Sequence, residues 1–276
     1  METNPSVSII TPTYGRGALL PLAYRMYAAQ QDIATREWIV IDDSPQPSQF
    51  MQGLADPDVR YVHLPGRLSV GEKRNLAIDA ARGNIIVQFD DDAYYAPSYL
   101  KAMLRVMQSQ QADFVKLSAF FLYSFVLKKF GYWNLLSKTG LHFLWGAGSK
   151  EAIVLSPREA ENRHLGYGFS YVFNKQVWQR NPFPATNFCE DDLFIKAAIR
   201  NGYKITLIND DGEHSGLCLR LLHWSNSSDN FPQYIIPEFI ARQQFPGFFE
   251  RLPEYTAAIQ PPGQPSRLEP VPSISA

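Results

Sequence analysis

Apolar and polar positions follow two rhythms along the first 110 residues. The runs "SVSIITPTY", "EWIVIDDS", "VRYVHLP" and "NIIVQF" are short, rich in Val and Ile, and closed by Pro, Asp or Ser, which predicts buried strands. Stretches with helical spacing lie between them. "GALLPLAYRMYAAQQ" places Leu19, Leu22, Ala23, Met26 and Tyr27 on one face. "PSQFMQGLADP" predicts a short helix, and "SVGEKRNLAIDAARG" a helix that begins near Gly71 and ends toward Gly83. "APSYLKAMLRVMQSQ" predicts another, with Ser98 as its cap and Leu100, Met103, Leu104 and Met107 on one face. Strand and helix alternate, which gives a mostly parallel sheet with helices on both faces.

The second half is less regular. "EAIVLS" and "GFSYVFNKQVW" read as strands, the latter running into a turn or short helix, and "EDDLFIKAAIRNGYKITLI" as a helix followed by a strand. Regularity fades after about Pro246, and residues 253–276 are rich in proline and small polar residues, which predicts a disordered tail. The longest apolar stretch, "VKLSAFFLYSFVLKKF", is too short to span a membrane and is flanked by lysines. It reads as a buried strand or core helix. The sharper alternative is an interfacial segment making a peripheral membrane contact, because Phe120, Phe121, Tyr123, Phe125, Phe130, Tyr132 and Trp133 crowd together.

Composition narrows the function classes. With 26 basic and 27 acidic residues the net charge is −1, so nothing favours nucleic acid as a partner. Cys189 and Cys218 form no CxxC pair, which argues against a zinc site and fits a reducing compartment. The N-terminal stretch has no basic segment leading into a long apolar core, so a cytoplasmic location is expected, with membrane association left open.

Candidate chemistry lies in three acidic clusters. Ligands of open α/β sheets bind beyond the carboxyl ends of the strands. Asp42 and Asp43 close the second predicted strand, and Asp90, Asp91 and Asp92 follow the fourth, so both clusters fall on that edge. Three adjacent carboxylates repel one another unless a cation holds them, and Mn²⁺ or Mg²⁺ suits oxygen ligands. The third cluster, Glu190, Asp191 and Asp192, opens a predicted helix, where the helix dipole favours acids in any case. The middle of the chain is rich in Gly (Gly146, Gly148, Gly166, Gly168), and Trp145, Tyr167 and Tyr171 there suit either a sugar-stacking platform or core packing.

Several motifs agree in order and spacing: "SIITPTYGR", "VIDDS", "GEKRNLAIDAARGNIIVQFDDD", "GYGFSYVFNK" and "EDDLFIKAAIRNG". With them the chain resembles an inverting GT-A glycosyltransferase of the family-2 type. The resemblance implies an α/β, GT-A-like three-layer sandwich over residues 1–250, with a nucleotide-binding half at 5–110 and a C-terminal acceptor-binding half at 111–250. It implies a metal-dependent transfer from a nucleotide-sugar donor, UDP-linked, to a hydroxyl of a glycan or lipid-linked acceptor.

Roles carry over residue by residue. Pro12 and Tyr14 match the loop that packs against the base, with Arg16 nearby, and Gly15 stands where the family usually has Asn. Asp43 matches the acid that recognises the uracil edge, and Asp42 supports the same loop. Gly71, Lys73, Arg74 and Asn75 match a segment that approaches the nucleotide. The resemblance points to Asp92 as the direct metal ligand and puts Asp90 nearer the ribose and sugar, with Asp91 able to share either task. The spacing from Glu190 to Gly202 fits a family motif in which Asp191 is the catalytic base and Glu190 orients the acceptor. A later histidine often completes the metal site, and His223 suits this better than His214. Two other readings stand beside this one. One is a catalytically inactive sugar-nucleotide or glycan-binding module. The other is a sugar nucleotidyltransferase, whose Gly-rich phosphate loop "TPTYGRGA" matches poorly.

Overall fold

The computed structural model describes residues 6–33, 35–137, 140–146, 150–161, 164–210, 216–226 and 229–259. The first half runs β1 (Val7–Thr13), α1 (Leu20–Ala28), β2 (Arg36–Asp42), α2 (Gln49–Gly53), β3 (Val59–His63), α3 (Val70–Ala80), β4 (Ile85–Gln88), β5 (Ala93–Tyr95) and α4 (Tyr99–Ser109). It continues through β6 (Phe114–Ser124), β7 (Lys129–Asn134), β8 (Gly140–Trp145), β9 (Lys150–Leu155), α5 (Pro157–Glu161), β10 (Val172–Asn174) and α6 (Lys175–Arg180). The last elements are α7 (Glu190–Arg200), β11 (Ile205–Asn209), β12 (Cys218–Leu222), β13 (Tyr234–Ile236), α8 (Glu238–Gln244), α9 (Pro246–Glu250) and α10 (Leu252–Ala258).

The main sheet has the order β13-β7-β6-β10-β4-β1-β2-β3. Strands β4, β1, β2 and β3 are all parallel, as the alternating pattern predicts. The short β10 joins the two halves by pairing antiparallel with both β4 and β6. The long β6 takes β11 as a parallel partner on its first half and β12 on its second. The sheet separates two cores. On β1 and β2, Ile9, Trp38 and Val40 pack with α1 and α4 on one face. Their neighbours Ile10, Ile39 and Ile41 pack with α3 and α7 on the other. Successive strand residues point to opposite faces, so continuous apolar runs feed both layers.

The buried-strand reading of residues 115–130 holds, and two expectations change. The aromatic stretch 115–130 is strand β6 and its hairpin with β7, and Phe120, Phe121, Tyr123, Phe125, Phe130 and Trp133 are all buried. These residues are core and offer no membrane face. Ser98 precedes α4 but its side chain makes no capping bond. Residues 253–258, expected as tail, are helical instead. Pro246 and Pro253 sit in the first turns of α9 and α10, where proline starts helices rather than breaking them. The fully buried Tyr255 docks there against Phe248, at 5.3 Å between ring centroids. Residues 260–276 lie outside the described residues. Among the described residues no helix is long and apolar enough to cross a membrane.

Candidate active site

The carboxyl edge of β1, β2 and β4 is held by a set of charge pairs. After β1 the chain turns at Gly15, whose φ of +64° is a left-handed value that glycine takes without strain. The Gly15 amide donates to Ser44 Oγ at 2.7 Å. Asp42 fixes this loop: its Oδ1 accepts from the Ser44 amide at 2.9 Å, and its Oδ2 accepts from the Tyr61 hydroxyl at 2.7 Å. Tyr14 is 41% exposed, and the Arg67 guanidinium lies 3.1 Å from its ring centroid.

Asp43 is buried. Its Oδ1 accepts from Lys73 Nζ at 2.7 Å and from Arg67 at 3.3 Å, and its Oδ2 accepts from the Leu68 amide at 2.8 Å. Burial opposes its charge, but the Lys73 bond and the Leu68 amide outweigh burial and hold the carboxyl below its usual range. Lys73 also donates to the Thr13 carbonyl at 2.9 Å. The helix turn aims the amine into the sheet edge, beside Asp43. Asn75 is held by its neighbours. Its Oδ1 accepts from Trp178 Nε1 and the Phe183 amide, and its Nδ2 donates to the Phe183 carbonyl, so it ties α3 to the loop after α6. Gly71 is required by packing, since a Cβ there would lie 1.9 Å from the Pro184 carbonyl oxygen.

The three consecutive aspartates divide their work. Asp91 is 2% exposed, accepts from the Thr13 hydroxyl and takes Arg16 NH1 at 2.8 Å, so it anchors the loop. Asp92 Oδ2 meets Arg16 NH1 at 2.6 Å, His223 Nε2 at 3.2 Å and Asn226 Nδ2 at 3.1 Å. Asp90 Oδ1 lies 3.8 Å from Arg74. Burial pushes the Asp90 carboxyl up to about 6, with Arg74 opposing and the Asp92 charge adding. Asp92 moves the other way: burial would raise it, but Arg16 and His223 hold it well below the carboxylate range.

A cavity of about 600 Å³ opens beside these groups. Pro12, Arg16, the three aspartates, Glu190, Asp191 and Arg220 all line it. Asp191 opens α7 after Cys189, which has a left-handed φ of 61°. Its Oδ2 accepts from the Gly168 amide at 2.8 Å and its Oδ1 from the Asp192 amide at 2.7 Å. Glu190 is bound to Arg74, so its first partner is a cation of α3 rather than an open acceptor position. Asp192 pairs with Lys196 at 2.6 Å, the arrangement of an ordinary acidic first turn. Of the aromatics, Tyr167 lines the cavity, while Trp145 and Tyr171 are core. Gly148 and His214 lie outside the described residues.

The residues fit a divalent cation at one point. Asp92 Oδ2 and His223 Nε2 are 3.2 Å apart, and neighbouring ligands on an octahedral cation with ~2.1 Å bonds lie about 3 Å apart. The Ser225 amide donates to His223 Nδ1 at 3.3 Å and Ser225 Oγ lies 3.0 Å from the same nitrogen, which orients the ring with Nε2 toward Asp92. Among the described residues no three His, Cys, Asp or Glu side chains gather as a metal site. Arg220 and Asn226 were not among the sequence candidates. The signal for Arg220 is a lone charge inside the apolar run "CLRLL".

Comparison with known proteins bears on this geometry. Residues 8–141 match the family model described as glycosyl transferase family 2. The segment and the rest of the described chain have the GT-A fold. A curated relative is WcaA of Escherichia coli K12, assigned as a colanic acid biosynthesis glycosyl transferase. It is 33% identical over 108 residues, which are 38% of each chain. Staphylococcus aureus TarS (residues 1–349, in complex with UDP-GlcNAc) superposes with a TM-score of 0.58 at 18% identity. That match covers 81% of this chain and 61% of TarS. The mannosyltransferase PcManGT of Pyrobaculum calidifontis, in complex with GDP-Man and Mn²⁺, gives a TM-score of 0.54 at 18% identity. It covers 79% of this chain and 57% of that one. The chain thus spans less than two thirds of each of these relatives.

Proposed function

We propose that the protein is a cation-dependent, inverting glycosyltransferase. It would move a hexose from a UDP-linked donor to a hydroxyl of a glycan or lipid-linked acceptor. One observation carries the reading: a single cavity is lined by both Asp92, which meets His223, and Asp191. The likeness to WcaA supports a glycan acceptor, and the likeness to TarS supports a UDP-sugar. The unpaired Cys189 and Cys218 support a cytoplasmic location.

In this reading Pro12 and Tyr14 pack against the base and Asp43 accepts its ring N–H. Mn²⁺ or Mg²⁺ held by Asp92 and His223 would supply positive charge against the departing diphosphate. Arg16, Arg74 and Arg220 line the same cavity and add fixed cationic charge. Asp191 takes the proton from the acceptor hydroxyl. The acceptor oxygen then bonds to the anomeric carbon as the bond from that carbon to the diphosphate oxygen breaks. The nucleoside diphosphate leaves with the bonding electrons, and attack from the opposite face inverts the centre. A carboxylate offers about four acceptor positions, and two backbone bonds leave Asp191 the remainder. Nucleotide release from UDP-GlcNAc and GDP-Man, with and without Mn²⁺, tests the proposal. Release from neither donor in either condition overturns it.

A further inference from the structure

Lys116 is fully buried on β6, in an otherwise apolar run. Its Nζ donates to the carbonyls of His164 at 2.9 Å and Gly166 at 2.7 Å. The carbonyl between them, Leu165, accepts from the buried Tyr171 hydroxyl at 2.6 Å. Three consecutive carbonyls are therefore capped by two buried side chains. The next residue, Tyr167, is held at a φ of 68°, a conformation that costs a non-glycine residue about 1 kcal/mol or more. The residue after it is Gly168, whose amide donates to Asp191 Oδ2. A Cβ on Gly168 would lie 2.9 Å from Asp191 Cβ, so this backbone rests directly on the carboxylate.

We infer that Lys116 is a positioning residue for Asp191: with Tyr171 it clamps segment 164–166 so that the Gly168 amide fixes the carboxylate at the cavity wall. The inference rests on the reading of Asp191 as the base. An ammonium group is costly in a dry interior, and burial lowers its affinity for a proton to about 7, with Asp191 and Asp192 opposing. A methionine of similar length would fill the same space without a charge. Retention of the amine is explained by the two carbonyls it caps.

The test is amide hydrogen exchange in Lys116→Met and Tyr171→Phe, read at Gly168. Losing charge-assisted bonds to two carbonyls removes more than 1.4 kcal/mol, so exchange at Gly168 should rise at least about tenfold in Lys116→Met. It should rise about threefold in Tyr171→Phe, which loses one neutral bond. Affinity for UDP with Mn²⁺ should change less than about twofold, since a factor of two is well under 1 kcal/mol. Unchanged exchange at Gly168 in a folded Lys116→Met overturns the inference. If that variant does not fold, unchanged exchange in Tyr171→Phe overturns it. Asp191→Asn separates the two readings. Full turnover there removes the base assignment and the inference with it. Loss of turnover there, with unchanged exchange in the clamp variants, removes the inference alone.

Discussion

Asp92 Oδ2 lies 3.2 Å from His223 Nε2, although 131 residues separate them in the chain. The contact exists because β12, which delivers His223, pairs antiparallel with β5, which follows the three aspartates. A cation held there predicts a specific pattern. His223→Ala should cost about 10–100-fold in Mn²⁺ affinity. Asp92→Asn should cost more, because a charge is lost as well as a ligand. Titration of Mn²⁺ in the presence of UDP checks this, and equal Mn²⁺ affinity in wild type and Asp92→Asn would remove the ligand assignment.

Lys73 and Asp43 form a buried ion pair at 2.7 Å beneath the loop that follows β1. Removing one partner leaves the other charged and unpaired. Lys73→Met should therefore destabilise the fold by about 3–5 kcal/mol and weaken UDP binding together. Denaturant melts and calorimetry with UDP would show it. Unchanged UDP affinity in a destabilised variant would mean that Asp43 does not read the base.

Asn75 makes three hydrogen bonds, one to Trp178 of α6 and two to Phe183 in the loop after it, and so belongs to the scaffold. Asn75→Ala should cost about 1–3 kcal/mol of stability and leave the affinity for UDP unchanged. A stable variant with weakened UDP binding would restore Asn75 to the nucleotide site.

Continuous apolar runs that end in acids identify the parallel half, and their pattern alone places Asp43 and Asp92 on one edge. Side-chain direction is another matter. Lys73 and Asn75 open a helix beside the site, and only the rotation of α3 on the sheet sends one to Asp43 and the other to Trp178. The division of labour among Asp90, Asp91 and Asp92 likewise depends on Arg16, Thr13 and His223, which the fold brings in from two other strands. The helix at residues 252–258 is obscured because its proline reads as a breaker, while Tyr255 supplies the burial that forms it. Lys116 and Arg220 do leave a trace: each is a single charge inside an apolar strand.

Lys116 also predicts a pH dependence of stability. Its folded-state value of about 7 lies below the unfolded value of 10.5, so the unfolded chain holds more protons between them. Stability contributed by this group is therefore lowest below pH 7 and rises as pH climbs toward 10, by at most about 1.4 kcal/mol per unit. The difference between wild type and Lys116→Met in denaturant melts should grow in favour of wild type from pH 6.5 to 9. Parallel profiles would contradict the buried, destabilised ammonium.

The central claim is that Asp191 removes the acceptor proton in a sugar transfer whose leaving group sits against Asp92. The most direct measurement is nucleotide release from UDP-GlcNAc and GDP-Man by wild type and Asp191→Asn, paired with UDP affinity for both proteins. The account predicts turnover reduced by about 10²–10⁴-fold in Asp191→Asn with UDP affinity unchanged. Wild-type turnover in Asp191→Asn would contradict it.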